Sequence, residues 1–109
     1  MTPEQRIEAF LAFVAKSPDD AFARYSLAMA LRSAGRADEA IAEFRETTRR
    51  KPDYVATYLM LGQALEAAGR TDEAATAYEG GIAAATRAND MHARNELSQA
   101  LDDLRARGA

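Results

Sequence analysis

The stretch LAMALRSAGRADEA, Leu27 to Ala40, returns as LGQALEAAGRTDEA, Leu61 to Ala74. Leu27, Ala30, Leu31, Ala34, Gly35, Arg36, Asp38, Glu39 and Ala40 each recur 34 positions on. Self-similarity at this period marks a helix-turn-helix array, whose units cannot bury an apolar face alone and therefore stack on one another. The repeat predicts an all-α chain, a right-handed solenoid of antiparallel helix pairs with about six helices.

Working outward from the repeat, apolar periodicity predicts a helix over 21–34, stopped by Gly35, which adopts the left-handed angles of a helix C-terminus at little cost. Asp38 and Glu39 then fall in the first turn of the next helix, where each negative charge favours the helix dipole by about 0.3–1 kcal/mol. That helix runs to Arg49 or Arg50, and Lys51-Pro52-Asp53 punctuates it. The cycle restarts with a helix over 55–68, Gly69 as the stop, Asp72-Glu73 opening the next helix, and an end near Thr86.

Upstream, Thr2-Pro3-Glu4-Gln5 spells a capping box with proline in the first turn. Ile7, Phe10, Leu11 and Val14 follow as one amphipathic stripe. Ser17-Pro18-Asp19-Asp20 ends this helix and supplies an acidic cap for the next. Phe10 and Pro18 lie 34 positions before Phe44 and Pro52, so the first helix reads as the second half of a preceding unit. Downstream, Asn89-Asp90 caps a last helix over 91–106, with Leu97, Ala100, Leu101 and Leu104 on its buried stripe. One domain, 1–109, is expected, made of a half-unit (1–18), two full units (21–54 and 55–88) and a terminal capping helix (89–109).

The bulk numbers narrow the function classes. A net charge of −3 argues against a nucleic acid or an anionic membrane as partner, since both need a concentrated positive face. With no cysteine there is no disulfide and no thiolate metal site. Ala9 to Ala15 is apolar enough to suggest a leader core, but Glu4 and Glu8 precede it and no small-residue cleavage pattern follows Lys16. No apolar run approaches the roughly 18 residues of a membrane span, and a cytoplasmic location is the default expectation.

These residues resemble the tetratricopeptide repeat, through Leu61-Gly62, Ala74 with Tyr78, and Ala40 with Phe44 and Pro52. The likeness covers 21–88 as two full repeats plus flanking helices, in the manner of a small bacterial-type member. Gly62 and its counterpart Ala28 are read as leaving room for Ala74 and Ala40, with Phe44 and Tyr78 filling the space between units. Departures fall at Arg24 and His92, where the family often carries an aromatic, and at Thr47 and Gly81, where alanine is usual.

The resemblance implies a non-catalytic scaffold that holds a peptide or partner protein on a concave face built from the first helix of each unit. Carried over residue by residue, that face comprises Phe22, Tyr25, Met29, Arg32, Leu59, Met60, Gln63 and Glu66, continued by Arg94 and Leu97. One subclass of the family clamps a C-terminal carboxylate with basic and Asn side chains. Here Tyr25, Met29, Met60 and Asp90 stand at four of those places and only Arg94 agrees, so no such clamp is expected.

The remaining signals have ordinary readings. Neighbouring carboxylates in Asp38-Glu39 and Asp72-Glu73 point in different directions on a helix and do not converge on one substrate atom. His92 has no cysteine or second histidine near it, so no metal or other cofactor is expected. The basic cluster Arg45, Arg49, Arg50 and Lys51 sits at a helix C-terminus, where cations suit the dipole, and lacks interleaved aromatics. Gly80-Gly81 inside a helix indicates either close helix approach or a kink. Phe22, Tyr25 and Met29 form a second apolar edge on a helix whose core stripe is Leu27, Ala28 and Leu31. Either the first helix covers this edge, or the half-unit leaves it bare for docking or for homodimer formation.

Overall fold

In the computed structural model residues 1–108 are described; Ala109, the end of the expected capping segment, lies outside them. The described residues form helices joined by turns, with no strand. Two compact units divide the chain, Met1–Lys51 and Pro52–Ala109. The first holds α1 (Pro3–Lys16), α2 (Ala21–Ser33) and α3 (Ala37–Arg50); the second holds α4 (Ala56–Ala67), α5 (Thr71–Arg87) and α6 (Met91–Gly108).

Each helix begins and ends where local chemistry allows. Thr2 and Gln5 form a reciprocal capping box at α1, the Gln5 amide donating to Thr2 Oγ1 at 3.1 Å and the Thr2 amide to Gln5 Oε1 at 2.8 Å. Asp20 caps α2 by accepting from the Ala23 amide at 3.0 Å, and Asp90 accepts from the Ala93 amide of α6 at the same distance. Gly35 (φ 78°) and Gly69 (φ 75°) close α2 and α4 in the left-handed region. The following arginine amides reach back to Leu31 and Leu65 carbonyls at 2.9 Å, satisfying acceptors that the helix ends would leave open. Asn89 (φ 56°) plays that part at the end of α5.

Within the first unit α2 packs between α1 and α3; within the second, α5 packs between α4 and α6. Ile7, Leu27, Leu31, Ile41 and Phe44 are buried in the first unit, and Leu61, Leu65, Tyr78, Leu97, Leu101 and Leu104 in the second. Each such large side chain contributes about 1.5–3 kcal/mol on leaving water. Leu11 departs from the expected stripe: it is 49 % exposed, whereas Ile7 is buried and α2 is the helix that α1 chiefly packs against.

Close approach in the second unit rests on two glycines. A Cβ on Gly62 would fall on the Tyr78 ring, 2.6 Å from Cδ1, so the space left by Gly62 is filled by Tyr78 of the same helix pair. That corrects the expectation that Ala74 sits opposite it. A Cβ on Gly81 would lie 2.6 Å from Tyr58 Cβ and 2.8 Å from Leu97 Cδ2, and α5 runs on as helix through both glycines. Gly80-Gly81 is thus a site of close approach.

Candidate functional site

A shallow groove lies along the outward face of α2 in the first unit. Its walls are Phe22, Tyr25, Ser26, Met29, Ala30 and Ser33 from α2, with Arg6 and Phe10 from α1, around about 290 Å³. Helical spacing explains the grouping: Phe22, Tyr25, Ser26, Met29 and Ser33 recur at three- and four-residue steps, as do Arg6 and Phe10. The first helix therefore walls the apolar edge without covering it. Phe22 remains 65 % exposed, while Tyr25 and Met29 are half-buried. Tyr25 also turns its ring edge toward Phe44, with centroids 6.0 Å apart, and so belongs to core and groove at once. Pockets for drug-sized ligands usually span about 300–1,000 Å³, so this groove suits one or two side chains of a bound segment.

The sequence points to Phe22, Tyr25 and Met29, whereas it places Phe10 on the amphipathic stripe of α1 and gives no signal for Arg6. Their four-residue spacing was visible; which flank of α1 faces α2 was not. Arg32 is half-buried and shares the outward face of α2 by register with Tyr25 and Met29.

In the second unit the expected face is less uniform. Leu59, Met60 and Gln63 are half-buried on α4, and Arg94 is exposed on α6. Glu66 is engaged twice, accepting from the Tyr78 hydroxyl and from the Arg107 guanidinium. Leu97 is 1 % exposed and sits against Gly81, which removes it from any surface; the absent side chain at Gly81 draws it inward.

Two polar features replace chemistry that the sequence left open. Arg24, 9 % exposed, donates from Nη1 to Glu43 Oε1 at 2.7 Å and from Nη2 to the Pro18 carbonyl at 3.2 Å. At the same place of the second unit the Tyr58 hydroxyl donates to the Pro52 carbonyl at 2.6 Å. The two repeats thus tie the same proline carbonyl with different groups, which is why arginine is tolerated at an aromatic position. Burial pushes the Tyr58 phenol above its usual range, with the nearby Arg87 opposing and Asp53 reinforcing the shift. The first-turn acids also have partners: Arg36 grips Glu39 with Nε and Nη2 at 2.8 and 2.7 Å, and Arg70 grips Glu73 in the same two-pronged way. The hydrogen bond from Arg36 holds the Glu39 carboxyl below the usual carboxylate range.

No group of three or more His, Cys, Asp or Glu side chains suited to a metal occurs among the described residues, and His92 is exposed. Among the same residues no helix is long and apolar enough to cross a membrane.

A tetratricopeptide repeat family model matches residues 31–93, and the chain belongs to that family. A tetratricopeptide repeat domain protein from Salinibacter ruber, solved by NMR, is 36 % identical, with 81 % of this chain and 89 % of that one covered and a TM-score of 0.77. A TPR2B-domain:pHsp70 complex of yeast Sti1 shares the fold at 20 % identity, covering 93 % and 81 % of the two chains with a TM-score of 0.85. So does the Yersinia enterocolitica type III secretion chaperone SycD in complex with a peptide of the translocator YopD, at 15 % identity, 98 % and 82 % coverage and a TM-score of 0.85. No curated protein matches the chain. The all-α architecture of helical repeat pairs is that of this family.

Proposed function

We propose that the chain is a non-catalytic interaction module that binds a segment of a partner protein in the α1–α2 groove. The carrying observation is an aromatic and methionine-walled channel whose Phe22 ring stays in contact with water, since aromatic and Met side chains supply large contact area to a partner at modest ordering cost. Two structural relatives hold peptide or protein ligands, SycD a YopD peptide and the Sti1 domain pHsp70, and this supports the class of function. We take Phe22, Tyr25, Met29 and Arg32 as the contact set of the first unit. Leu59, Met60, Gln63 and Arg94 are the set of the second. The family match runs across the boundary between the units, in support of reading 1–109 as one domain with the repeat boundaries given above. The setting we propose is cytoplasmic, in keeping with a cysteine-free chain.

Replacing Phe22 and Met29 together by Ser removes two large apolar groove walls that lie outside the buried core. Partner capture should fall by at least about tenfold, the effect of losing one strong anchor, while circular dichroism and the thermal midpoint stay close to those of the parent. Capture that survives in the folded double variant removes the groove from the function.

Self-association through the same N-terminal edge is the second reading, favoured by Phe13 at 63 % exposure on α1. Sedimentation velocity at two concentrations separates the two, because a concentration-independent monomer rules out a dimer.

A further inference from the structure

Among the described residues that line the α1–α2 groove, the one charged side chain is Arg6. The sequence of α2, AFARYSLAMALRS, contains no carboxylate along its whole length. On α1 the groove side brings Arg6, an exposed residue whose guanidinium has no hydrogen-bond or ion-pair partner among the described residues. Acidic groups of the same unit are directed elsewhere. Glu4 pairs with Arg36 at 3.2 Å, Asp19 pairs with Arg50 at 2.9 Å, and Asp20 is held on the Ala23 amide of α2. Glu8 is two residues from Arg6, roughly 200° around the helix, on the row that Glu4 occupies. In a chain of net charge −3, the groove is therefore a local exception, cationic and apolar at once.

We propose that this groove takes an acidic, Phe- or Leu-bearing segment of a partner protein, its apolar side chain seated between Phe10, Phe22 and Met29 and its carboxylate against Arg6. The inference rests on the groove reading above and adds the chemistry of the occupant. A second copy of the chain is the poorer occupant. An isologous contact would bring Arg6 of both copies together over a groove whose lining residues include no carboxylate.

Selection of a random-peptide phage library on the full-length chain tests the proposal. Enriched peptides, acetylated and amidated so that no terminal charge contributes, are measured by fluorescence anisotropy. The expected peptides pair Phe or Leu with an excess of Asp and Glu, and Arg6→Glu weakens them by roughly fivefold, with less effect at high salt. Replacing the peptide's acidic residue by Lys should restore binding to the Arg6→Glu variant. Because Arg6 has no side-chain partner among the described residues, that variant keeps its helical content and thermal midpoint.

Binding that is lost in Phe22→Ser but unchanged in Arg6→Glu overturns the acidic specificity and leaves the groove standing. Binding indifferent to both Phe22→Ser and Met29→Ser overturns the groove as well. Failure to enrich any peptide counts against both, and a dimer that dissociates on Phe22→Ser puts a second copy in the groove and overturns the proposal.

Discussion

Gly62 leaves no room for a methyl group, because the Tyr78 ring already fills the place where a Cβ would project. Alanine gains about 1 kcal/mol over glycine in a helix interior, yet overpacking a core costs roughly 1–3 kcal/mol or more. At Gly62 the clash involves a fully buried ring that also donates to Glu66, so the cost wins. Gly62→Ala should lose about 2 kcal/mol in urea unfolding, whereas Gly80→Ala, whose Cβ would meet the Tyr58 ring edge at 3.3 Å (Cε1) and 3.5 Å (Cδ1), should stay within about 0.5 kcal/mol of the parent. The resemblance to the tetratricopeptide repeat, through Leu61-Gly62, implies a close approach at Gly62. It could not name Tyr78 over Ala74, since the neighbour depends on how two helices are rotated about their axes. Arg24 was harder still: an arginine normally signals surface, and its buried role depends on the path of the turn that presents the Pro18 carbonyl.

Helix ends were legible almost to the residue, because capping is decided by side chains within three or four positions of the terminus. Thr2 with Gln5, Asp20, Gly35, Gly69 and Asp90 all do locally what their spacing predicted. Helix faces were read less well. Periodicity alone places Leu11 on the buried stripe, and periodicity does not reveal which flank of α1 its main partner α2 covers. Leu97 was assigned to both a buried stripe and a binding face, and only the void at Gly81 decides for the first. At this scale Asp20→Ala should destabilise the first unit by about 1 kcal/mol through loss of the α2 cap, and Asp20→Asn should recover most of it. Thermal or urea unfolding of both variants checks the pair, and equal losses in the two would show that charge, not the bond to the Ala23 amide, matters there.

For the whole molecule, ion pairs at helix ends contribute to the response to acid. Glu39 and Glu46 have carboxyls held below the usual range, by hydrogen bonds from Arg36 and Arg49 respectively. A carboxyl depressed in the folded state adds stability that is present above the ordinary carboxylate range and drains away as the pH falls below it, through the depressed range of the folded state. These groups are solvent-accessible, so the acid-side slope of the thermal midpoint should flatten in high salt. A slope indifferent to salt would shift the cause to buried groups. Alkali should act differently, because the duplicated halves fasten the same proline carbonyl with unlike chemistry. One donor is the Arg24 guanidinium; the other is the Tyr58 phenol, raised but still ionisable, which must stay protonated to donate. Its contribution is complete below the phenol's ordinary range and vanishes as the pH climbs through the elevated one. Amide exchange compared between the halves on raising the pH, after correction for the intrinsic base-catalysed rate, should then show the copy with the phenol loosening first, a built-in order of fraying that two identical repeats would lack.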